Sequence, residues 1–431
     1  MKLPILILFG KFISYFSQIL NLGNGSTWPG HIALNIEPNF IKKILKKSET
    51  KIILIAGTNG KTTTGKMIQS IIEQDNKKVF QNESGANLLN GIASSIVLNS
   101  SILGKINYNY GVFEVDENSL PLVLKELTPD YLILMNLFRD QLDRYGEVNS
   151  IVDKWKKAID NLTSQTTLIL SADDPQIAYL GNNRKNTHYF GLDNPELAQK
   201  THQHAVDSTY CPNCSTKLIY KTVYYSHVGD WECLNCKRKR PQFMLSTSPL
   251  YPLDGTYNRY NTNAAVLFAK LNNINNETVE QSLRMFKPAF GRQEVIDIDN
   301  KHVQIFLSKN PTSFNESLRT IVSKNAKHIL FVLNDRIPDG RDISWIWDVD
   351  FEDYLDDAMD VSVAGDRAYD MSLRLKYAYP KVKHIDTYYP LLDKGIKAAI
   401  KKVPKSETLY ILPTYSAMLE VRKVLTGRKI L

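Results

Sequence analysis

Apolar positions along the chain follow two periods. In the opening stretch, "MKLPILILFGKFISYFSQILNLGNG", Ile13, Phe16, Ile19 and Leu20 recur at helical spacing and predict an amphipathic helix. Further on the apolar residues form short continuous runs. Lys51–Ala56 ("KIILIA") predicts a buried strand and Gly57–Thr64 a glycine-containing turn. Met67, Ile68, Ile71 and Ile72 then predict a helix over 66–74. Tyr220–Tyr225 ("YKTVYY") is aromatic and β-branched, and predicts one strand of a hairpin. Toward the C-terminus "FVLND" and "LYILPTY" predict buried strands that run into loops, with helices between them. Strands alternating with helices make the chain α/β, its C-terminal part a smaller Rossmann-like layer.

Composition adds bounds to this pattern. A length of 431 residues allows about two or three domains with ample core. Hydrophobic residues make up 43% and charged residues 23%, the balance of a globular protein without low-complexity tracts. Fifty-three basic against 45 acidic residues give +8, which reads first as a solvated surface. A patch for anionic lipid, phosphate or nucleic acid is the second reading. No run approaches the ~18 apolar residues of a membrane helix. The opening stretch raises a signal peptide, but Gly10 and Lys11 break its apolar run and no A-x-A-like site follows. A cytoplasmic protein is expected, whose first helix either packs on the protein or lies on a membrane surface.

All four cysteines fall in one stretch. Cys211, Cys214, Cys233 and Cys236 form C-x2-C-x18-C-x2-C, a spacing that reads as a tetrahedral zinc site. Pro212 and Asn213 suit a tight knuckle. Redox or disulfide cysteines are the alternative, disfavoured in a cytoplasmic chain. A closed four-sulfur site has no open position for catalysis, so these residues are expected to hold a fold together.

Gly57, Thr58, Asn59, Gly60, Lys61, Thr62 and Thr63 carry the clearest chemistry. Between a strand and a helix, this turn would cradle phosphates with backbone N–H groups and the helix N-terminus. Lys61 would neutralise charge, and the Thr62 hydroxyl would ligate Mg²⁺. The full Walker spacing would need glycine or alanine at position 55, where Ile55 stands. A bound nucleotide is expected here.

"AGTNGKTTT" resembles the ATP loop of the Mur ligase superfamily, which includes the peptidoglycan ligases and folylpolyglutamate synthase. Further likenesses follow in the same order: "YGVFEVDE", "LMNLFRDQLDRYGE", "SADDP", "LDGTYNRYNTNAA" and "FGRQE". By this resemblance Glu114 would bind magnesium, and Asn258 and Arg292 would contact the nucleotide. Without the family context, Asn258 reads as a helix cap or turn and Arg292 as a surface ion pair. Gln141 stands where the family usually has a histidine that helps hold a second metal. The implied chemistry is attack of a carboxylate on the γ-phosphate, then opening of the acyl phosphate by an amine.

With the phosphate loop near residue 57, no nucleotide-sugar domain of the UDP-substrate ligases is expected before it. The cysteine insertion and the phrases "LSKNPTSFNESLRTI", "LNDRIPDGRDISWIWDVDFE", "AGDRAYDMSLRLKYA" and "LPTYSAMLEVRKVL" resemble the MurT-type branch. That branch supplies the ligase subunit of lipid II isoglutaminyl synthase, and the resemblance implies a GatD-type glutaminase partner and a lipid II substrate. Class-I-type glutaminases use a cysteine nucleophile, which a chain with all its cysteines on zinc would lack. The resemblance implies that the acidic run "DGRDISWIWDVDFE" lends a carboxylate to the partner's catalytic histidine, Asp348 first and Asp350 second. The alternative is an acidic helix N-terminus beginning near Asp350. Asn310 matches a residue near the adenine and ribose, or else makes the turn before Pro311. The expected layout is a helical segment over 1–48 and an ATPase domain over 49–295, with a zinc ribbon inserted at about 206–242. A Rossmann-like domain would cover 296–431.

A folylpolyglutamate-synthase-like ligase is the competing enzyme reading; it leaves the cysteines unexplained. A nucleic-acid binder could use "CKRKR" (Cys236–Arg240), but would leave an intact ATP loop idle, so no nucleic-acid partner is expected.

Overall fold

The computed structural model describes residues 2–19, 27–82, 85–140, 148–199, 203, 206–378, 385–388 and 391–427. Leu20 and Gln141 lie outside them. Three helices come first: α1 (Lys2–Ile19), α2 (Trp28–Ile36) and α3 (Phe40–Leu45). The first sheet is built from β1 (Lys51–Ala56), β2 (Val79–Gln81), β3 (Tyr110–Val115), β4 (Tyr131–Leu134), β5 (Thr167–Ser171) and β6 (Thr187–Phe190). Its order is β2-β3-β1-β4-β5-β6, with every pair parallel. Between the strands run α4 (Lys61–Gln74), α5 (Leu89–Asn99), α6 (Leu120–Glu126), α7 (Val148–Asp160) and α8 (Pro175–Leu180).

Parallel strands covered on both faces read as continuous apolar runs, which is why "KIILIA" is legible as β1. Ile52, Leu54 and Ala56 point into a core shared with Ile7, Phe40, Ile92 and Trp155. Ile53 and Ile55 point into the opposite core with Met67, Ile71 and Phe268. Phe268 belongs to α9 (Thr256–Leu271), which packs beside α4 and is followed by α10 (Asn276–Arg284).

The cysteine hairpin, β7 (Ile219–Tyr225) and β8 (Val228–Glu232), branches from the edge of this sheet. The chain returns from it at Leu245, which bridges to Phe190 of β6.

A second sheet follows the order β13-β12-β11-β14-β10-β9. Its strands are β9 (Arg292–Ile298), β10 (Lys301–Phe306), β11 (His328–Val332), β12 (Asp360–Ala364), β13 (Asp386–Tyr388) and β14 (Thr408–Pro413). All pairs are parallel except the β9–β10 hairpin. Asp299 and Asn300 both have positive φ, as a tight two-residue hairpin turn requires. The boundary expected after residue 295 therefore falls inside a strand, because pairing with β10 draws the chain into the second sheet from Arg292. Helix α11 (Pro311–Ser323) connects β10 to β11.

Strand order reverses at β1, flanked by β3 on one side and β4 on the other. Ligands of such sheets bind beyond the strand C-termini at that point. The phosphate loop sits there, facing the start of the second sheet.

Candidate active site

Gly57–Gly60 connect β1 to α4, and the helix already begins at Lys61 rather than at 66. Gly57 and Gly60 have φ of +138° and +93°, a region that disfavours side chains. A Cβ on Gly60 would come within 2.1 Å of Asn261 Oδ1, so α9 closes directly over the loop. Asn136, just beyond β4, latches the other side. Its backbone carbonyl accepts from Thr58 N (2.9 Å), its Oδ1 accepts from Asn59 N (2.9 Å) and its Nδ2 donates to Asn59 O (3.1 Å). The Thr58 hydroxyl donates to Phe138 O (3.2 Å) and accepts from Phe138 N (3.0 Å). The loop carrying Asn136 is held in turn by Asp174 of "SADDP", which accepts from Leu137 N at 2.9 Å while capping α8.

Charged side chains gather above this frame. Lys61 Nζ donates to Gly57 O and Thr58 O, and lies 3.4 Å from Glu117 Oε2. Thr62 Oγ1 donates to Glu114 Oε2 at 2.7 Å and accepts from Arg292 Nη2 at 2.9 Å. Hard oxygens of Thr62 and Glu114, side by side at a phosphate loop, suit a magnesium ion. Burial works to lower the Arg292 guanidinium, against the pull of Glu114. Lys309, after β10, pairs with the buried Asp140. Burial works to lower its ammonium, and the carboxylates of Asp140 and Glu117 outweigh it, so Lys309 is held above its ordinary value. Burial raises the Asp140 carboxyl in spite of Lys309. One oxygen of Asp140 and one of Glu117 have no hydrogen-bond partner, so both carboxylates have capacity to spare beside the phosphate loop.

Two clefts open from this cluster. The larger, about 610 Å³, runs between the sheets past Asn59, Asn258, Arg292 and Glu316. Asn258 stands in the first turn of α9, donating to Asp254 O at 2.7 Å and accepting from Asn261 at 2.9 Å. Thr63 lines the same cleft. Glu316 is nearly fully buried on α11, and neither of its oxygens has a hydrogen-bond partner. Burial pushes its carboxyl up to about 7, opposed by Arg319 at 3.6 Å.

The second cleft, about 480 Å³, is lined by Arg139, Asp140, Lys309, Asn310, Trp345 and Asp348. Asn310 caps α11 by accepting from Ser313 N at 2.9 Å, and its Nδ2 lies 3.4 Å from Asn59 Oδ1. The two acidic candidates of the C-terminal loop part ways here. Asp348 is 45% exposed at the cleft, 3.8 Å from Arg139 Nη2. Asp350 is 1% exposed; its carboxylate accepts from Asn315 Nδ2 (2.8 Å) and its N–H donates to Asn315 Oδ1 (2.9 Å). That side chain is an interior latch and is not open to a partner.

Asn136, Glu117, Asp140, Lys309 and Glu316 were not singled out in the sequence. All five lie in quoted segments, where they could have been read.

The cysteines meet as the spacing predicts. Cys211 Sγ lies 3.6 Å from Cys236 Sγ and Cys214 Sγ 3.5 Å from Cys233 Sγ, with all four sulfurs within 4.8 Å of one another. A disulfide needs about 2.05 Å. Four thiolates at about 2.3 Å from one ion would stand roughly 3.8 Å apart, so the cluster fits a zinc cage.

Residues 55–269 match the Mur ligase middle domain and residues 307–418 the MurT ligase C-terminal domain. The chain is 31% identical to the lipid II isoglutaminyl synthase (glutamine-hydrolyzing) subunit MurT of Staphylococcus aureus strain COL, over 91% of each chain. It is 31% identical to that subunit of Streptococcus pneumoniae strain ATCC BAA-255 / R6, over 95% of this chain and 94% of the relative. Among solved structures, the fold resembles a pseudomurein peptide ligase type C from Methanothermus fervidus, with TM-score 0.68, 21% identity and coverage of 90% and 81%. It also resembles the MurF ligase of Thermotoga maritima in complex with ADP, with TM-score 0.62, 15% identity and coverage of 90% and 82%. The two family matches and the two relatives, each aligned over nine-tenths of the chain, converge on one conclusion: the chain belongs to the MurT branch of the Mur ligase family.

Proposed function

We propose that this chain is the ligase half of a two-subunit amidotransferase. It amidates the α-carboxylate of D-glutamate in the lipid II stem peptide to D-isoglutamine, using ATP and ammonia from a GatD-type glutaminase. The observation that carries the reading is the convergence of Lys61, Thr62, Glu114 and Arg292 at a phosphate loop, in a chain whose cysteines are all drawn into one cluster.

ATP would lie in the larger cleft, with Asn258 and Asn310 flanking the loop. Lys61 and Arg292 would hold the transferring phosphoryl group. Magnesium, bound by Thr62 and Glu114, would neutralise charge on the phosphate oxygens. A carboxylate oxygen of the substrate attacks the γ-phosphorus, and ADP departs with the bridging oxygen. Ammonia then attacks the acyl carbon, loses a proton, and phosphate leaves with the oxygen that the carboxylate supplied. Asp140 and Glu117, each with a spare acceptor oxygen, would take that proton.

Zinc would close the Cys211, Cys214, Cys233 and Cys236 cluster as a structural ion. Asp348, open at the second cleft, would orient the catalytic histidine of the partner. The reaction belongs to the cytoplasmic face of the membrane, where the lipid-linked substrate lies. Lipid II carrying heavy oxygen in the reacting carboxylate tests the acyl phosphate: one label atom should appear in inorganic phosphate. Amidation without transfer of label would overturn that intermediate.

A further inference from the structure

Helix α1 has its polarity reversed. The face it turns to the protein holds Leu6, Ile7, Gly10, Ser14 and Ser17, three of them small. A Cβ on Gly10 would meet Val97 of α5 at 2.7 Å, so the small residues let α1 lie close to its neighbours. The outward face carries Ile5, Leu8, Phe9, Phe12, Tyr15, Phe16 and Ile19, each between 43% and 64% exposed. These positions follow a 3,1,3,3,1,3 spacing, a single stripe along the whole helix. Trp28, at the start of α2, is 59% exposed, and Leu103, in the turn whose Gly104 rests on Leu3 and Ile7, is 76% exposed.

The same segment of the chain is rich in lysine. Residues 1–48 contain six lysines and one acidic residue, Glu37. Lys42, Lys43, Lys46 and Lys47 are exposed on and just after α3, whose Ile44 shares the contact at Gly104 with Leu3 and Ile7. No helix among the described residues is long and apolar enough to cross a membrane.

We propose that the outward face of α1 is an interfacial anchor that lies in the plane of an anionic phospholipid surface. Phe9, Phe12 and Phe16 would enter the acyl boundary while the lysines of α3 meet the headgroups. This goes beyond the amidation reading and does not depend on it. Lipid is the occupant favoured by charge: pairing with a second copy would bring two lysine-rich surfaces together.

The test is flotation of the full chain with phosphatidylcholine vesicles, with and without phosphatidylglycerol, in the absence of ATP and substrate. The wild-type chain should float with the mixed vesicles, and Phe12→Glu/Phe16→Glu should weaken that partition at least about tenfold. Lys46→Glu/Lys47→Glu should weaken it only where phosphatidylglycerol is present. Both variants should keep the wild-type melting temperature and ammonium-driven amidation of detergent-solubilised lipid II, which separates failure of the anchor from failure of the amidation reading. A wild-type chain that stays in solution, or an unchanged partition in Phe12→Glu/Phe16→Glu, would overturn the proposal. So would a concentration-dependent dimer that this variant dissolves without any vesicle binding, since that assigns the face to a second copy.

Discussion

Arg292, the first residue of β9, donates to the hydroxyl of Thr62, in the first turn of α4, at 2.9 Å. One hydrogen bond thus ties the C-terminal sheet to the phosphate loop of the first. The Arg292 side chain is partly buried there, and Glu114 exerts the strongest attraction on its charge. Arg292→Ala should lower the rate of amidation by about 100-fold or more, the usual effect of removing a charged donor from a phosphoryl-transfer site. Saturating ATP should not restore it. Wild-type turnover in the variant would remove Arg292 from the site.

Asp348 and Asp350 should separate by nitrogen source. Asp348→Asn, at an exposed carboxylate, is expected to abolish glutamine-driven amidation in the two-subunit enzyme and to spare the ammonium-driven reaction. Asp350→Ala removes the acceptor of the buried Asn315 contact and should destabilise the chain by about 1–3 kcal/mol. It should depress both reactions alike. Equal losses from Asp348→Asn with either source would contradict a role at the partner's histidine.

Removing the metal should act on stability before chemistry. Elemental analysis should find one zinc per chain. Cys233→Ser, at a fully buried sulfur, should release it and cost several kcal/mol, on the order of ~3 or more. A metal-free wild-type chain with an unchanged melting temperature would contradict the structural role.

Glu316 sets a pH dependence. Burial raises its carboxyl to about 7, above the 4.5 of an exposed glutamate. Below pH 4.5 the folded and unfolded chains both hold the proton. Between 4.5 and 7 the unfolded chain gives it up first, so this group's contribution to stability falls as pH rises and levels off above 7. Glu316→Gln should therefore be more stable than wild type at pH 8 and nearly equal to it near pH 4.5, the difference reaching about 2–3 kcal/mol. A variant less stable at pH 8 would mean that the carboxylate is held by a partner.

The phosphate loop, β1 and the cysteine cluster were legible because each is a local pattern. A covered parallel strand is an unbroken apolar run, and a thiolate cage is written in two short spacings. What long-range pairing decides was not legible. The sheet boundary at Arg292 depends on pairing with β10. The burial of Asp350 depends on Asn315, 35 residues earlier, so Asp348 and Asp350 look alike in sequence and differ in the fold. Helix α1 was legible as a helix from Ile13, Phe16 and Ile19; that its apolar side faces outward follows only from how closely Gly10, Ser14 and Ser17 pack.

The most direct measurement supplies the purified chain with ATP, Mg²⁺ and lipid II in three tubes, and reads the mass change for exchange of OH by NH₂ in the stem peptide. Ammonium alone should give amidation, glutamine alone should not, and glutamine with a GatD-type glutaminase should restore it. Amidation by the pure chain from glutamine alone would contradict a ligase half without its own nitrogen source. No amidation in any tube, with glutamate added to folate instead, would contradict the assignment of lipid II as substrate.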